Sequence, residues 1–232
     1  TGTALTPEEF LTRPTTVLPP VVAYWPFTRR HELEDASGNG NSLTNKGVTF
    51  NAAAGSAVFT GNQEVFGTAK TLCLYLYNAL TMECFVRSSA SANTQTILEA
   101  STNAPLLQGT FRLSALAGSG FAESAFTTAY YTYVGGSAYR YNLDRSDVGN
   151  SVTDGKWHHL ALVIDSSVAG ANRAKLFFDW VPQSYITNTN FDLTTAFLNA
   201  PFFIGSRANS LNKFAGELDD IMNAFYEGQY DV

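Results

Sequence analysis

Asp154-Gly155-Lys156-Trp157-His158-His159-Leu160-Ala161-Leu162-Val163 is a turn, a large aromatic and then an apolar strand. Asp-Gly ahead of a run of alternating and apolar residues is a turn-to-strand signal. Trp157 to Asp165 reads as the clearest strand of the chain, and Arg173 to Asp179 is its expected partner across a loop containing Gly170. A strand alternates its side chains between two faces, so His158 and His159 point opposite ways and cannot simply share one metal. The third histidine, His31, is remote in sequence. No zinc site is expected. Trp157, a bulky residue at a strand start, is expected to plug the core.

The same grammar extends in both directions. Val21 to Phe27, Ala57 to Gly61, Leu80 to Arg87, Gln95 to Ala100, Phe111 to Leu116, Phe202 to Gly205 and Glu217 to Phe225 all read as strands. Gly, Asn and Ser turns separate them, and helical periodicity is nowhere sustained, which indicates a sandwich or barrel. Tyr130-Tyr131-Thr132-Tyr133-Val134-Gly135-Gly136-Ser137-Ala138-Tyr139-Arg140-Tyr141 reads as a hairpin turning at Gly135-Gly136. That turn sets Thr132 opposite Tyr139. Tyr131, Tyr133 and Arg140 then share one face, and it is the expected exposed one, because arginine is rarely buried unpaired.

A chain of 232 residues with 45% hydrophobic and 15% charged content is globular and weakly charged, with ample material for a two-sheet core. The net charge of −6 and the lack of a Lys/Arg run exclude a nucleic-acid footprint. No apolar stretch is long enough to span a bilayer. Residues 1–20, rich in Thr and Pro, read as an N-terminal arm or linker, leaving 21–232 as the domain. The chain begins at Thr1, which suggests a processed or excised product. If Asn78-Ala79 formed a two-residue turn, Cys73 and Cys84 would face each other about 4.5–5.5 Å apart, within disulfide range. Two buried free cysteines are the other reading.

Several segments, in order, resemble the laminin G-like branch of the concanavalin A-like lectin and glucanase jelly rolls. They are Ala23-Tyr24-Trp25-Pro26-Phe27, Asp35-Ala36-Ser37-Gly38-Asn39-Gly40-Asn41, Leu80 to Arg87, Asp154 to Val163, Phe202 to Ser206, and Phe214-Ala215-Gly216-Glu217-Leu218-Asp219-Asp220-Ile221. The family's "L-Y-V-D-G" hairpin is changed here to Leu176-Phe177-Phe178-Asp179-Trp180-Val181-Pro182, which places an aromatic at the corner. The resemblance implies an all-β fold: a two-sheet antiparallel sandwich, or jelly roll, carrying an N-terminal extended arm.

The resemblance also frames the chemistry. Related glucanases use Glu-x-Asp-x-(x)-Glu on one strand, so that one carboxylate attacks and another donates a proton. Glu217 and Asp219 match the first two positions, whereas Ile221, Met222 and Asn223 leave the third without an acid. The chain is therefore expected not to be an enzyme. Related folds often hold Ca²⁺, and Asp35, Asn39 and Asp219 are the candidate ligands, with backbone carbonyls completing the set. Tyr131, Tyr133 and Arg140 are the candidate glycan contacts. The expected function is a non-catalytic, extracellular or surface-exposed module that binds a glycan or glycoprotein surface. The alternative is a structural or decorating part of a cell-surface, viral or other large assembly, attached through residues 1–20. A glycoside hydrolase comes third.

Overall fold

The computed structural model describes residues 21–62, 64–72, 79–89, 93, 95–100, 111–115, 126–134, 137–140, 152–165, 174–182, 200–207 and 212–224. All the regular structure there is strand: β1 Val21–Trp25, β2 Leu43–Lys46, β3 Thr49–Asn51, β4 Ser56–Thr60, β5 Val65–Thr71, β6 Ala79–Arg87, β7 Gln95–Ala100, β8 Phe111–Ala115, β9 Phe126–Val134, β10 Ser137–Arg140, β11 Trp157–Asp165, β12 Ala174–Phe178, β13 Val181–Pro182, β14 Pro201–Ile204 and β15 Ala215–Ala224. An eight-stranded sheet runs β13-β12-β11-β6-β15-β4-β3, with β1 also on β15. A seven-stranded sheet runs β10-β9-β8-β7-β14-β5-β2. Every pairing is antiparallel. This is the sandwich that the sequence implied. Among the described residues no helix is long and apolar enough to cross a membrane.

Alternation explains the core. Leu80, Met82, Cys84 and Val86 of β6 lie on its inner face, in register with Leu160 and Leu162 of β11 and Leu218 of β15. Opposite them Ile97, Leu98, Phe202 and Ile204 come from the second sheet. Trp25 is the core tryptophan. Its ring stacks on Phe202 at 5.7 Å, and its Nε1 donates to the Asn41 carbonyl at 3.0 Å. Trp157, expected in the core, is only half-buried, because its register partner is the outer-face Arg87.

The surroundings of β6 also differ from expectation, since both its edges are taken, by β11 and β15. β5 belongs to the seven-stranded sheet and β6 to the eight-stranded one, so the two do not form a hairpin. Cys84 is a free, buried cysteine opposite Leu160, with burial pushing its thiol pKa up, while Cys73 lies outside the described residues. The arm at residues 1–20 lies outside them too.

The sheets close against each other tightly at Gly205, whose φ is +83° and where an added Cβ would come 2.2 Å from the Phe59 ring. Gly205→Ala combines left-handed strain with overpacking, so it should cost about 2–4 kcal/mol. Urea unfolding checks this; an unchanged midpoint would contradict the packing described here.

Candidate functional site

With even-numbered residues of β6 facing inward, its odd-numbered residues face out, and the pairing lines them up in rungs across the eight-stranded sheet. One rung is Trp157, Arg87, Glu217, Val58 and Thr49. The next is His159, Phe85 and Asp219. A third is Pro182, Phe177, Ala161, Glu83, Met222 and Tyr24. Glu83, Ala161 and Phe177 are buried even though they sit on the outer face. Trp157, Arg87, Phe85, Glu217 and Asp219 remain half-exposed and form a strip of rings and charges.

In the first rung the Arg87 guanidinium lies 5.0 Å from the centre of the Trp157 ring and pairs with Glu217. Glu217 Oε2 also accepts from Ser56 Oγ at 2.6 Å and from Asn51 Nδ2 at 3.4 Å. Burial pushes the Glu217 carboxyl up, but the hydrogen bonds from Ser56 and Arg87 and the Arg87 charge outweigh it and hold it below the usual range. Glu217 is thus an ionised acceptor that already holds three donors.

Asp219 is different. Burial, then the charge of Asp220 and lastly that of Glu217 push its carboxyl up to about 7, against one backbone hydrogen bond from Asp220 N at 2.9 Å. Asp220 has a φ of +45° and sits where the β15–β6 register shifts, as the extra residue of a bulge. Its Oδ1 accepts from the Tyr24 hydroxyl at 2.7 Å. Burial, with the charge of Glu83 adding, raises its carboxyl despite that bond. The same burial and the Asp220 contact push the Tyr24 phenol up.

The edge of the strip is the β12–β13 corner. Asp179 and Trp180 form its two-residue turn with φ of +47° and +69°, the geometry that joins strands of right-handed twist. Trp180 remains 37% exposed, yet its ring lies on His159 at 3.7 Å and 9°. His159 is buried edge-on to Phe85, and its Nε2 is 3.3 Å from Glu83.

The structure places the sequence candidates apart. The Val134–Ser137 pairing leaves two residues for the turn, as expected, and sets Arg140 opposite Tyr131 and Ala138 opposite Tyr133. That hairpin is the far edge of the other sheet, and its side chains lie outside the described residues. Asp35 staples its own loop: Oδ1 accepts from Tyr24 N and Ser37 N, both at 3.0 Å, and Oδ2 accepts from Asn41 N at 2.8 Å. Asn39 Nδ2 caps the Val21 carbonyl at 2.6 Å and the Val22 carbonyl at 3.2 Å. Calcium needs open oxygens, whereas here the carboxylate is taken up by N–H donors and carbonyls by amide donors. Asp35 and Asn39 are thus engaged within their own loop and β1, and among the described residues there is no group of three or more His, Cys, Asp or Glu side chains that could hold a metal ion. Glu83, Phe85 and Trp180 were missed in the sequence. The alternation of Leu80–Arg87 carried the signal for the first two.

A family model described as the concanavalin A-like lectin/glucanases superfamily (Laminin_G_3) matches residues 43–223. The chain belongs to that superfamily. Solved structures share its fold at low identity. Domain 4 of AbnA, a GH43 extracellular arabinanase from Geobacillus stearothermophilus, in complex with arabinotriose, has a TM-score of 0.62 at 18% identity, over 90% of this chain and 93% of that one. The receptor-binding domain of botulinum neurotoxin mosaic serotype C/D has a TM-score of 0.65 at 13% identity, over 91% of this chain and 49% of that one. A structure of botulinum neurotoxin type C, whose cell entry is dependent upon interaction with two ganglioside molecules, gives a TM-score of 0.63 at 13% identity, over 91% of this chain and 49% of that one. This chain spans about half the length of those neurotoxin domains. No curated protein matches it.

Asp219 yields a signed prediction. Its folded carboxyl keeps a hydrogen up to about 7, while an unfolded aspartate gives it up near pH ~4. Folding binds a proton between those limits, so the group costs stability progressively as pH rises through that window and carries no penalty below it. Asp219→Asn should raise unfolding free energy at pH 8 by on the order of 1–2 kcal/mol, discounted for partial exposure. The gain should vanish near pH 4. Urea unfolding at both pH values checks this; equal differences at the two would contradict it.

Proposed function

We propose that this chain is a non-catalytic carbohydrate-binding module that holds a glycan on the outer strip of the eight-stranded sheet. The observation that carries the reading is the pairing of two half-exposed rings, Trp157 and Phe85, with Arg87, Glu217 and Asp219 in the same two rungs. A pyranose or furanose ring offers C–H faces to aromatics and hydroxyls to side-chain donors and acceptors. Arg87 donates, Glu217 accepts, and Asp219 does either, according to its protonation. The Trp180 ring borders the strip.

The charge of the strip narrows the ligand. Glu217 and Asp220 lie close enough to Asp219 to raise its carboxyl, Glu83 does the same to Asp220, and the arginine of the strip, Arg87, is already paired with Glu217. Such a surface repels sialylated or sulfated sugars and favours neutral ones. A similar structure is a domain in complex with arabinotriose, a neutral oligosaccharide, which makes arabino-oligosaccharides the first probes. A glycan or glycoprotein partner outside the cell suits this reading, and so does an extracellular or surface location.

The non-catalytic part is supported by the strand around Glu217. Glu217 is held by Arg87, Ser56 and Asn51, and Ile221, Met222 and Asn223 supply no acid at the third position of the glucanase set. Two other readings are kept as outcomes of the tests: binding at Tyr131, Tyr133 and Arg140, and attachment to an assembly through residues 1–20.

Neutral oligosaccharides should bind with micromolar affinity by isothermal titration calorimetry. Trp157→Ala and Phe85→Ala should each weaken binding at least about tenfold, since aromatic contacts dominate such interfaces. Tyr131→Ala should leave it unchanged. Loss of binding in Tyr131→Ala alone would move the site to the hairpin. Silence on a glycan array would favour the assembly role. Turnover of a polysaccharide, abolished in Glu217→Gln, would make the chain a hydrolase.

A further inference from the structure

The second position of β11, His158, carries a device that the strip does not use directly. His158 Nε2 lies 2.9 Å from Asp154 Oδ1, and its Nδ1 lies 2.8 Å from Asp179 Oδ2. One ring thereby spans two turns, the Asp154-Gly155 turn before β11 and the Asp179-Trp180 turn after β12. Its ring centre is 4.5 Å from that of Phe178, and its side chain is only 11% exposed. Asp179 uses its other oxygen as well: Oδ1 accepts from the backbone N of His159 at 2.9 Å.

The hydrogen count of this bridge decides its chemistry. The Asp154 carboxyl is held down at about 2 by the Lys156 backbone N–H and then by His158, so it is ionised and offers no hydrogen. An ionised carboxylate only accepts, and a neutral imidazole has one N–H and one lone pair. Both contacts are filled together only by an imidazolium. When the ring loses one hydrogen, a lone pair faces a carboxylate oxygen at under 3 Å and one of the two links must open.

The Asp179 link matters because of its neighbour. Asp179 and Trp180 both hold positive φ without being glycine, a conformation that surrounding contacts have to maintain. Asp179 is anchored by His158 and the His159 backbone, and Trp180 lies flat on the His159 ring.

We infer that His158 is a positioning residue: bridging Asp154 and Asp179 in its doubly protonated form, it seats the Trp180 ring beside the binding strip, and deprotonation releases it. The effect on ligand rests on the carbohydrate reading above; the effect on Trp180 does not. The charged groups that contact the ring are Asp154, itself paired with Lys156 at 3.2 Å, and Asp179, whereas the His159–Glu83 and Arg87–Glu217 pairs belong to the opposite face of the sheet.

The test is a ligand-free pH titration of the whole chain by NMR, following both His158 ring nitrogens and the Trp180 indole N–H in one sample. The inference expects the doubly protonated His158 signature and the seated Trp180 signal to disappear together. In His158→Gln, which cannot carry the charge, the Trp180 signal should lose that response. Asp179→Asn is the second variant and should uncouple the two signals. A Trp180 response that persists in His158→Gln, or that follows His159 instead, would overturn the inference. So would a seated Trp180 beside a His158 ring protonated on one nitrogen only. In the ligand arm, affinity for the bound oligosaccharide should fall about fivefold on crossing the same pH, a loss absent from His158→Gln. If no oligosaccharide binds while the NMR result holds, the carbohydrate reading alone fails.

Discussion

The register between β6 and β11 is the constraint on which the rest depends. Nine consecutive pairs run from Trp157–Arg87 to Asp165–Ala79. Because side chains alternate, this one register sends Leu80, Met82, Cys84 and Val86 inward and delivers Glu83, Phe85 and Arg87 to the opposite face. A slip of one residue would bury the charges and expose the core. The hydrophobic layer therefore enforces the geometry of the polar strip, without the strip having to contribute stability of its own.

The strip in fact costs stability. A carboxyl displaced upward by burial, as in Asp219, marks a site where the fold tolerates poor solvation of charge. The bulge at Asp220 adds a second half-buried carboxylate, answered by a tyrosine hydroxyl and not by a cation. Bulges recur beside functional surfaces because they re-aim side chains at the expense of regular pairing. Against this, Glu217 is locked by three donors. Two carboxyls separated by one residue on β15 thus differ sharply: Glu217 is an immobilised, ionised acceptor, and Asp219 sits near its titration point.

Much of this was legible in the sequence because alternation is a local property. The strand at Trp157, its partner at Arg173 to Asp179, the opposed directions of His158 and His159, and the shared face of Glu217 and Asp219 all follow from spacing of two. What spacing could not supply was the choice of neighbour. The Cys73–Cys84 hairpin failed because successive strands here cross to the other sheet. Trp157 left the core because its register partner is Arg87, a fact about β6. Asp35 accepts from three backbone N–H groups, one of them on β1, and the composition of its loop does not reveal that choice of donors. The stack of Trp180 on His159 arises from a turn that closes over a neighbouring strand, which no pattern within the hairpin encodes.

The most direct measurement of the central claim is a crystal structure of the chain with a neutral oligosaccharide to which it binds. The account predicts sugar density on the outer face of the eight-stranded sheet, packed against Trp157 and Phe85 and within hydrogen-bond distance of Arg87, Glu217 or Asp219. Sugar bound only at the β9–β10 hairpin, with the outer strip bare, would contradict it.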